Sequence, residues 1–501
     1  MQDVATATGR VRGSEALSGV HVWRGIPYAA PPVGLLRWRA PQPVRPWGGT
    51  RDALHFGPDF PQVPNPASRA DSMSEDCLYL NLWAPADATS GSLPVMLWFH
   101  GGGFVAGSGA DARCDGALLA QREQVVVVSF NYRSGVFGYL AHPMLSRESA
   151  QGVSGNYGLL DQLAALRWVA DNIAGFGGDP SCVTTFGVSA GSASIALLLT
   201  APAAEGLFQR AILHSPGTAR PLASLEAAEA AGAAVNPDLD ALRALSADDV
   251  LALTPRLNPT VRSLTGPRVL RPIRDGVVIR EDERPVFLEG RLHRMPLIIG
   301  TNLDEGSLLT RAWPVKTAAD NLALLQANFP RELERAAALY GAANHADAKT
   351  GIAAAFADTQ FNYGARLLLR AMTGVGMPCW RYLFTRRRPG RSRGPDHGDE
   401  MGYPFGEIAQ GRNREPEPFD DTDRKVSEAM MSTWAAFAKT ADPNPPTCKR
   451  WPHYDAKPPG VHLEFGDDIR IGTEALADRL DFLEYYYAGA PGASNVEDEP
   501  T

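Results

Sequence analysis

The sequence predicts an α/β fold, a central and mostly parallel sheet with helices on both faces. Three observations point there. Short apolar, β-rich runs recur along the chain, amphipathic segments of helical length separate them, and no period of roughly 20–50 residues repeats, which excludes solenoids and propellers. VMLWFH (residues 95–100) and VVVVSF (125–130) are apolar almost throughout, as strands buried on both faces must be. DGALLAQRE (115–123) between them reads as a helix. DQLAALRWVADNIAGF (161–176) is amphipathic. Leu163, Leu166, Val169, Ala170 and Ile173 fall at helical spacing, and Gly175 and Gly177 act as stop signals. VTTFG (183–187) follows as a strand, then a helix over 190–199. Residues 211–214, 296–300 and 380–384 continue the strands.

The flanking segments differ in composition. Residues before 95 are rich in Pro, Gly and Trp, as in PPVG (31–34) and PQPVRPWGG (41–49), and predict turns and short antiparallel strands wrapping the sheet edge. Residues 221–291 are Ala-rich and helical, then irregular, and are expected to cap the sheet. TRRRPGRSRGP (385–395) is a basic loop. Residues 489–501 are small, polar and acidic and are expected to be disordered.

At 501 residues the chain has room for about three domains, but no linker separates two autonomous cores. Forty-eight Lys and Arg against 56 Asp and Glu give a net charge of −8. That excludes the basic footprint of a nucleic-acid binder and the polybasic face of a membrane-surface protein. The charge-free stretch 180–204 is long enough for a membrane span. Thr184, Thr185, Gly187, Ser189, Gly191, Ser192 and Ser194 break it up, so it reads as strand, sharp turn and helix. The five cysteines, Cys77, Cys114, Cys182, Cys379 and Cys448, contain no CxxC pair, which fits neither a disulfide framework nor a zinc site. MQDVATATGRVRG lacks the basic start and apolar run of a signal peptide. The expected location is the cytoplasm.

GVSAG (187–191) carries the sharpest chemistry. It is a G-x-S-x-G between an apolar strand and a helix. A serine hydroxyl is a poor nucleophile unless it stands clear of the backbone beside a base. A tight strand-to-helix turn achieves that, and glycines at both ends let the two backbones approach. Upstream, HGGGF (100–104) follows a strand and can leave backbone amides free to converge on one point. The expected oxyanion donors are the amides of Gly102, Gly103 and Ala190, each worth about 10²–10³ in rate. The spacing is not a dinucleotide fingerprint, because Ala106 stands where a third glycine is needed. With an elbow of this kind the triad order is Ser, acid, His, in an α/β-hydrolase fold. PLIIGTNLDEG (296–306) offers Asp304 and Glu305 after a strand. GPDHGDEMGYPFG (394–406) offers His397.

These segments resemble the type-B carboxylesterase and cholinesterase family, in particular its bacterial para-nitrobenzyl-esterase branch. WRGIPYAAPPVGLLRWRAP (23–41), EDCLYLNLWAP (75–85), WFHGGGFVAGSG (98–109), NYRSGVFGYL (131–140), the stretch 155–180, GTNLDEG (300–306) and FAKTADPNPP (437–446) carry the resemblance over nearly the whole chain. It implies Glu305 rather than Asp304 as the acid and His397 as the base beside Ser189. It implies ester hydrolysis through an acyl-enzyme, with no metal and no cofactor. It also implies that the ion pairs Arg37–Glu75 and Arg133–Asp161 are structural and that Ser215 supports the acid. His100 reads as a strand-end histidine rather than a second base. Ser192 and Ser194 read as packing or capping residues.

Two departures from the family bear on substrate. Val188 stands where the family has Glu before the nucleophile, which removes a member of a polar network behind the triad. Residues 60–75 contain no Trp or Tyr to face a quaternary ammonium. Neutral, non-choline esters are therefore expected. Phe60 also replaces a family cysteine, which leaves Cys77 without its usual partner, as suits a reducing compartment. The expectation is one hydrolase domain over 1–488, acting on a small-molecule ester as a monomer or weak homo-oligomer, with neither nucleic acid nor membrane as partner. An acyltransferase or an amide or carbamate hydrolase would use the same triad. A non-catalytic interaction domain would typically have lost the serine. The arginines of 386–393 have two readings, a solvated rim loop or a patch attracting anionic esters.

Overall fold

Strand burial alternates between two cores, and this places the sheet in the middle of the molecule. The computed structural model describes residues 2–391, 393–412, 418–446, 450–455, 460–474 and 476–489. Within them the strands are β1 (Gln2–Thr6), β2 (Gly9–Leu17), β3 (Val20–Pro27), β4 (Thr50–Asp52), β5 (Tyr79–Pro85), β6 (Leu93–Phe99), β7 (Val126–Phe130), β8 (Gly178–Val188), β9 (Arg210–His214), β10 (Leu297–Asn302), β11 (Cys379–Phe384), β12 (Val461–Phe465) and β13 (Ile469–Thr473). They form one sheet in the order β1-β2-β3-β5-β7-β6-β8-β9-β10-β11-β12-β13, with β4 beside β2. The run from β7 to β12 is parallel. The N-terminal strands add an antiparallel edge, as the Pro- and Gly-rich composition predicts.

The period of two is visible in side-chain placement. Val95, Leu97 and Phe99 share one core with Leu163, Leu166 and Val169 of the helix Tyr157–Asn172 and with the helix Ala190–Leu198. Met96 and Trp98 face the other core, with Met430, Trp434 and Phe437 of the helix Asp421–Thr440. Val126, Val128 and Val127, and Leu297, Ile299 and Ile298, divide the same way. The helix expected over 161–176 begins earlier, at Tyr157, and ends in a 3₁₀ turn at Ile173–Phe176. Its extra first turn carries buried Tyr157 and Gly158, which lie off the stripe that marked it in sequence.

The parallel register fixes the site. Phe99 is level with Gly187, Val188 with His214, His214 with Gly300, and Asn302 with Phe384. The carboxyl ends of β6, β8, β9, β10 and β11 therefore lie side by side, and the loops carrying the expected site residues leave from that one edge, where α/β sheets bind ligands. The excursion over 221–291 starts with the helices Leu225–Val235, Leu239–Ala244, Ala247–Leu251 and Thr254–Leu257 and then turns irregular, as expected, but it ends in a further short helix, Glu283–Leu288. Among the described residues no helix is long and apolar enough to cross a membrane. Apart from Gly489, the tail expected to be disordered lies outside the described residues.

Candidate active site

The turn after β8 holds Ser189 at φ 57° and ψ −116°, a conformation that costs a non-glycine residue about 1–3 kcal/mol. Its amide donates to the His214 carbonyl at 2.8 Å, and its own carbonyl accepts from Ala193. The flanking glycines are required by close packing. A Cβ on Gly191 would lie 2.1 Å from the Phe99 carbonyl oxygen, and one on Gly187 would lie 2.7 Å from it. The loop after β6 is equally tight. Gly102 has φ 122°, and a Cβ there would lie 1.9 Å from the Ala106 oxygen. Among the described residues the amides of Gly102, Gly103 and Ala190 donate to no protein acceptor. They are free for a ligand oxygen.

His397 and Glu305 meet across the ends of β10 and β11. His397 Nδ1 is paired with Glu305 Oε2. Glu305 Oε1 accepts from Ser215 Oγ at 2.5 Å and from the Asn302 amide at 2.6 Å. The carboxylate is thus fixed at both oxygens and almost fully buried. Asp304, left open by spacing alone, instead caps the next turn by accepting from the Ser307 amide at 3.0 Å. His397 stacks on Phe361 at 4.4 Å between ring centres, and its Nε2 has no partner. Ser189, His397, Gly102, Gly103 and Ala190 all line one cavity of ≈ 630 Å³. Nucleophile–base hydrogen bonds are often long until substrate closes them.

Behind this row lies a group that sequence reasoning missed. Glu400, fully buried, accepts from Asn302 Nδ2 at 2.5 Å and lies 3.5 Å from His214 Nδ1. Trp434 Nε1 donates to His214 Nε2 at 3.0 Å, so the ring proton of a neutral His214 sits on Nδ1, toward Glu400. Burial opposes the charge of Glu400, yet His214 and Asn302 together hold its carboxyl below the ordinary range. Its position three residues after His397 was the only available signal. Ser192 and Ser194 are packing groups, bonded to the Gly187 carbonyl and to Gln162 respectively. His100 is stacked on Tyr132 at 4.1 Å, and burial lowers its pKa to about 4. It stays neutral near pH 7, as a strand-end histidine would.

The two expected ion pairs form. Arg133 grips Asp161 with bonds of 2.8 and 2.7 Å, both side chains buried. Arg37 holds Glu75 at 2.5 and 2.7 Å and also donates to the Leu245 carbonyl. Val188 is buried in the same core as Trp98 and Phe186, with part of its surface on the cavity. Phe60 and Cys77 share a core, and Cys77, Cys114, Cys182 and Cys379 are free thiols. Cys448 lies outside the described residues.

The basic loop needs correction in part, because some of its arginines are buried and paired. Arg386 is buried and bonded to Asp423, Asp420 and Asp467, which locks the start of the helix Asp421–Thr440. Arg388 is buried against the Tyr403 ring and donates to the Ile408 carbonyl. Arg391 pairs with Asp399. Arg386 and Arg391, committed to carboxylates, form no anion-attracting patch, whereas Arg387 and Arg393 are exposed, as the solvated-rim reading expects. Seven arginines line the catalytic cavity, among them Arg220, Arg262, Arg268 and Arg271. Among the described residues no group of three or more His, Cys, Asp or Glu is arranged to hold a metal ion.

A model of the carboxylesterase family matches residues 1–483. The chain is 44% identical over 474 residues to the fumonisin B1 esterase of Sphingopyxis macrogoltabida, covering 93% of this chain and 87% of that one. It is 36% identical over 474 residues to the para-nitrobenzyl esterase of Bacillus subtilis (strain 168), covering 90% and 92%. A solved PNB esterase superposes with a TM-score of 0.83 at 34% identity, over 96% of this chain and 99% of that chain.

Proposed function

Because the chain belongs to the carboxylesterase family and is a carboxylic ester hydrolase, we propose that Ser189, His397 and Glu305 perform the hydrolysis. The observation that carries this reading is the Glu305–His397 pair, with a free His397 Nε2 on the same cavity as Ser189 and three unengaged amides. Ser189 Oγ attacks the ester carbonyl as His397 Nε2 takes its proton. The carbonyl electrons move onto oxygen, opposite the amides of Gly102, Gly103 and Ala190. Glu305 holds the ring and stabilises the imidazolium. The intermediate collapses, the ester C–O bond breaks, and the alcohol leaves with the proton from His397. Water, deprotonated by His397, then releases the acid from the acyl-enzyme.

The same reading makes residues 1–488 one domain, because Gly102 and His397 serve a single cavity. Choline esters fit it poorly. No Trp or Tyr occurs in residues 60–75, and the arginine-rich cavity wall repels a cation. The expectation of neutral esters rested on Val188, and the arginine wall argues the other way. The test is a panel of 4-nitrophenyl esters of varied acyl length with wild type and Ser189→Ala. We expect a stoichiometric 4-nitrophenol burst in wild type, and neither burst nor turnover in the variant. A preserved rate in Ser189→Ala would overturn the mechanism.

A further inference from the structure

Buried arginines in this protein usually have a carboxylate. Arg37, Arg133, Arg366, Arg381 and Arg386 each lie within ion-pair distance of one. The cavity wall breaks that pattern. Arg220 and Arg271 are more than nine-tenths buried, and among the described residues neither they nor Arg262 and Arg268 have a carboxylate within ion-pair distance. Their bonds go to neutral acceptors. Arg220 donates to the Gly266 carbonyl at 3.2 Å, Arg271 to the Gly217 carbonyl at 3.3 Å, and Arg268 to Gln360 Oε1 at 2.5 Å. The Nε atoms of Arg220, Arg268 and Arg271 have no acceptor.

Two acids bear on this charge without forming an ion pair with it: Asp111 lines the cavity, and Glu283 acts on Arg271 and Arg220 from beyond ion-pair distance. Asp111, on the cavity, is bound to Arg113. Glu283 is engaged by Thr218 and the Ala219 amide, and burial pushes its pKa up to about 7. Burial and neighbouring guanidiniums also hold Arg220 down to about 9. Such a cluster is costly to keep unless an anion completes it. A guanidinium presents a planar fork that matches a carboxylate.

The wall adjoins the reacting groups. Arg271 lies over the Phe104 ring, next to the Gly102–Gly103 amides, at 5.2 Å. Arg268 holds Gln360, whose neighbour Phe361 stacks on His397. We propose that this wall binds free carboxylates of the substrate, so that the preferred esters are half-esters of polycarboxylic acids. The scissile carbonyl then lies at Ser189 and an ionised carboxylate among Arg220, Arg268 and Arg271. This inference rests on the esterase reading above. It also implies product inhibition, since hydrolysis frees one more carboxylate.

The test compares monomethyl glutarate with methyl pentanoate, matched in length, in wild type, Arg268→Gln and Arg271→Gln. Wild type should favour the anionic ester by about ten-fold or more in kcat/KM. In the variants KM for the anionic ester should rise, and the ratio should fall about ten-fold per arginine. Melting temperature should hold or rise on removing an uncompensated charge, whereas a purely structural arginine would lower it. A second measurement needs no variant. Citrate should compete with 4-nitrophenyl butyrate in wild type, while acetate and triethyl citrate should not. Hydrolysis of methyl pentanoate without preference for the glutarate overturns the carboxylate assignment and leaves the esterase reading standing. Failure on every ester removes the esterase reading itself. Inhibition by inorganic phosphate with citrate inert also overturns the carboxylate assignment.

Discussion

The two sides of the catalytic cavity handle charge in opposite ways. On the triad side every ionised group is answered. Glu305 has His397, Ser215 and the Asn302 amide, and Glu400 has His214 and Asn302. On the arginine side Arg220, Arg262, Arg268 and Arg271 share the wall with no carboxylate within ion-pair distance among the described residues. The first side matches a machine whose charges are complete before substrate arrives, which is what preorganised stabilisation requires. The second is complete only when something anionic is bound. Pairing, rather than the number of charges, separates the groups that hold the fold from those that await a ligand.

The largest way to break this contrast is at the triad. Glu305→Gln keeps the shape and one hydrogen bond but removes the charge that fixes the His397 tautomer and stabilises the imidazolium. We expect kcat to fall about 10⁴-fold with little change in folding stability. Steady-state kinetics with 4-nitrophenyl butyrate would measure it. A loss of only a few-fold would mean that the pair merely anchors the loop.

A smaller effect, in stability, comes from making a paired arginine resemble the wall. Asp161→Asn leaves Arg133 buried without its carboxylate, which should cost about 3–5 kcal/mol. Arg268→Met removes a charge that has no carboxylate partner among the described residues and should cost nothing comparable. Urea denaturation of the two variants measures the difference directly. Equal destabilisation would show that the wall arginines are part of the fold's own support.

This contrast also explains what could be read from the sequence. The strands around Val95, Val126 and Leu297 were legible because burial on both faces forces apolar runs. Ser189 and the amides of Gly102, Gly103 and Ala190 were legible because tight backbone turns demand glycine at fixed offsets. Spacing alone left Asp304 and Glu305 open, and the family resemblance chose between them. Charge pairing was not legible, because partners lie far apart along the chain. Arg386 looked free among its arginine neighbours, yet it is held by Asp420, Asp423 and Asp467. Arg262, Arg268 and Arg271 carried no signal. They sit in an irregular segment without periodicity, and only the fold brings them to Ser189. Glu400 was hidden for the same reason, since its partners His214 and Asn302 come from two other strands.

The smallest expected effect sharpens the comparison most directly, because it adds a charge to the boundary between the two sides. Val188 precedes the nucleophile and lines the cavity. Val188→Glu would place one carboxylate beside Ser189, opposite the cationic wall. One charge about 8 Å from another, at an effective dielectric of about 40, is worth about 1 kcal/mol, or about five-fold in kcat/KM. Anionic half-esters should lose that factor, neutral esters should change little, and cationic esters should gain. The three classes must therefore move apart in that order, with the spread shrinking as salt is raised. A uniform loss across them would mean that Val188 matters by packing in the core it shares with Trp98 and Phe186. An unchanged preference would mean that substrate charge is not felt at the nucleophile, and the arginine wall would then act only on groups bound away from it.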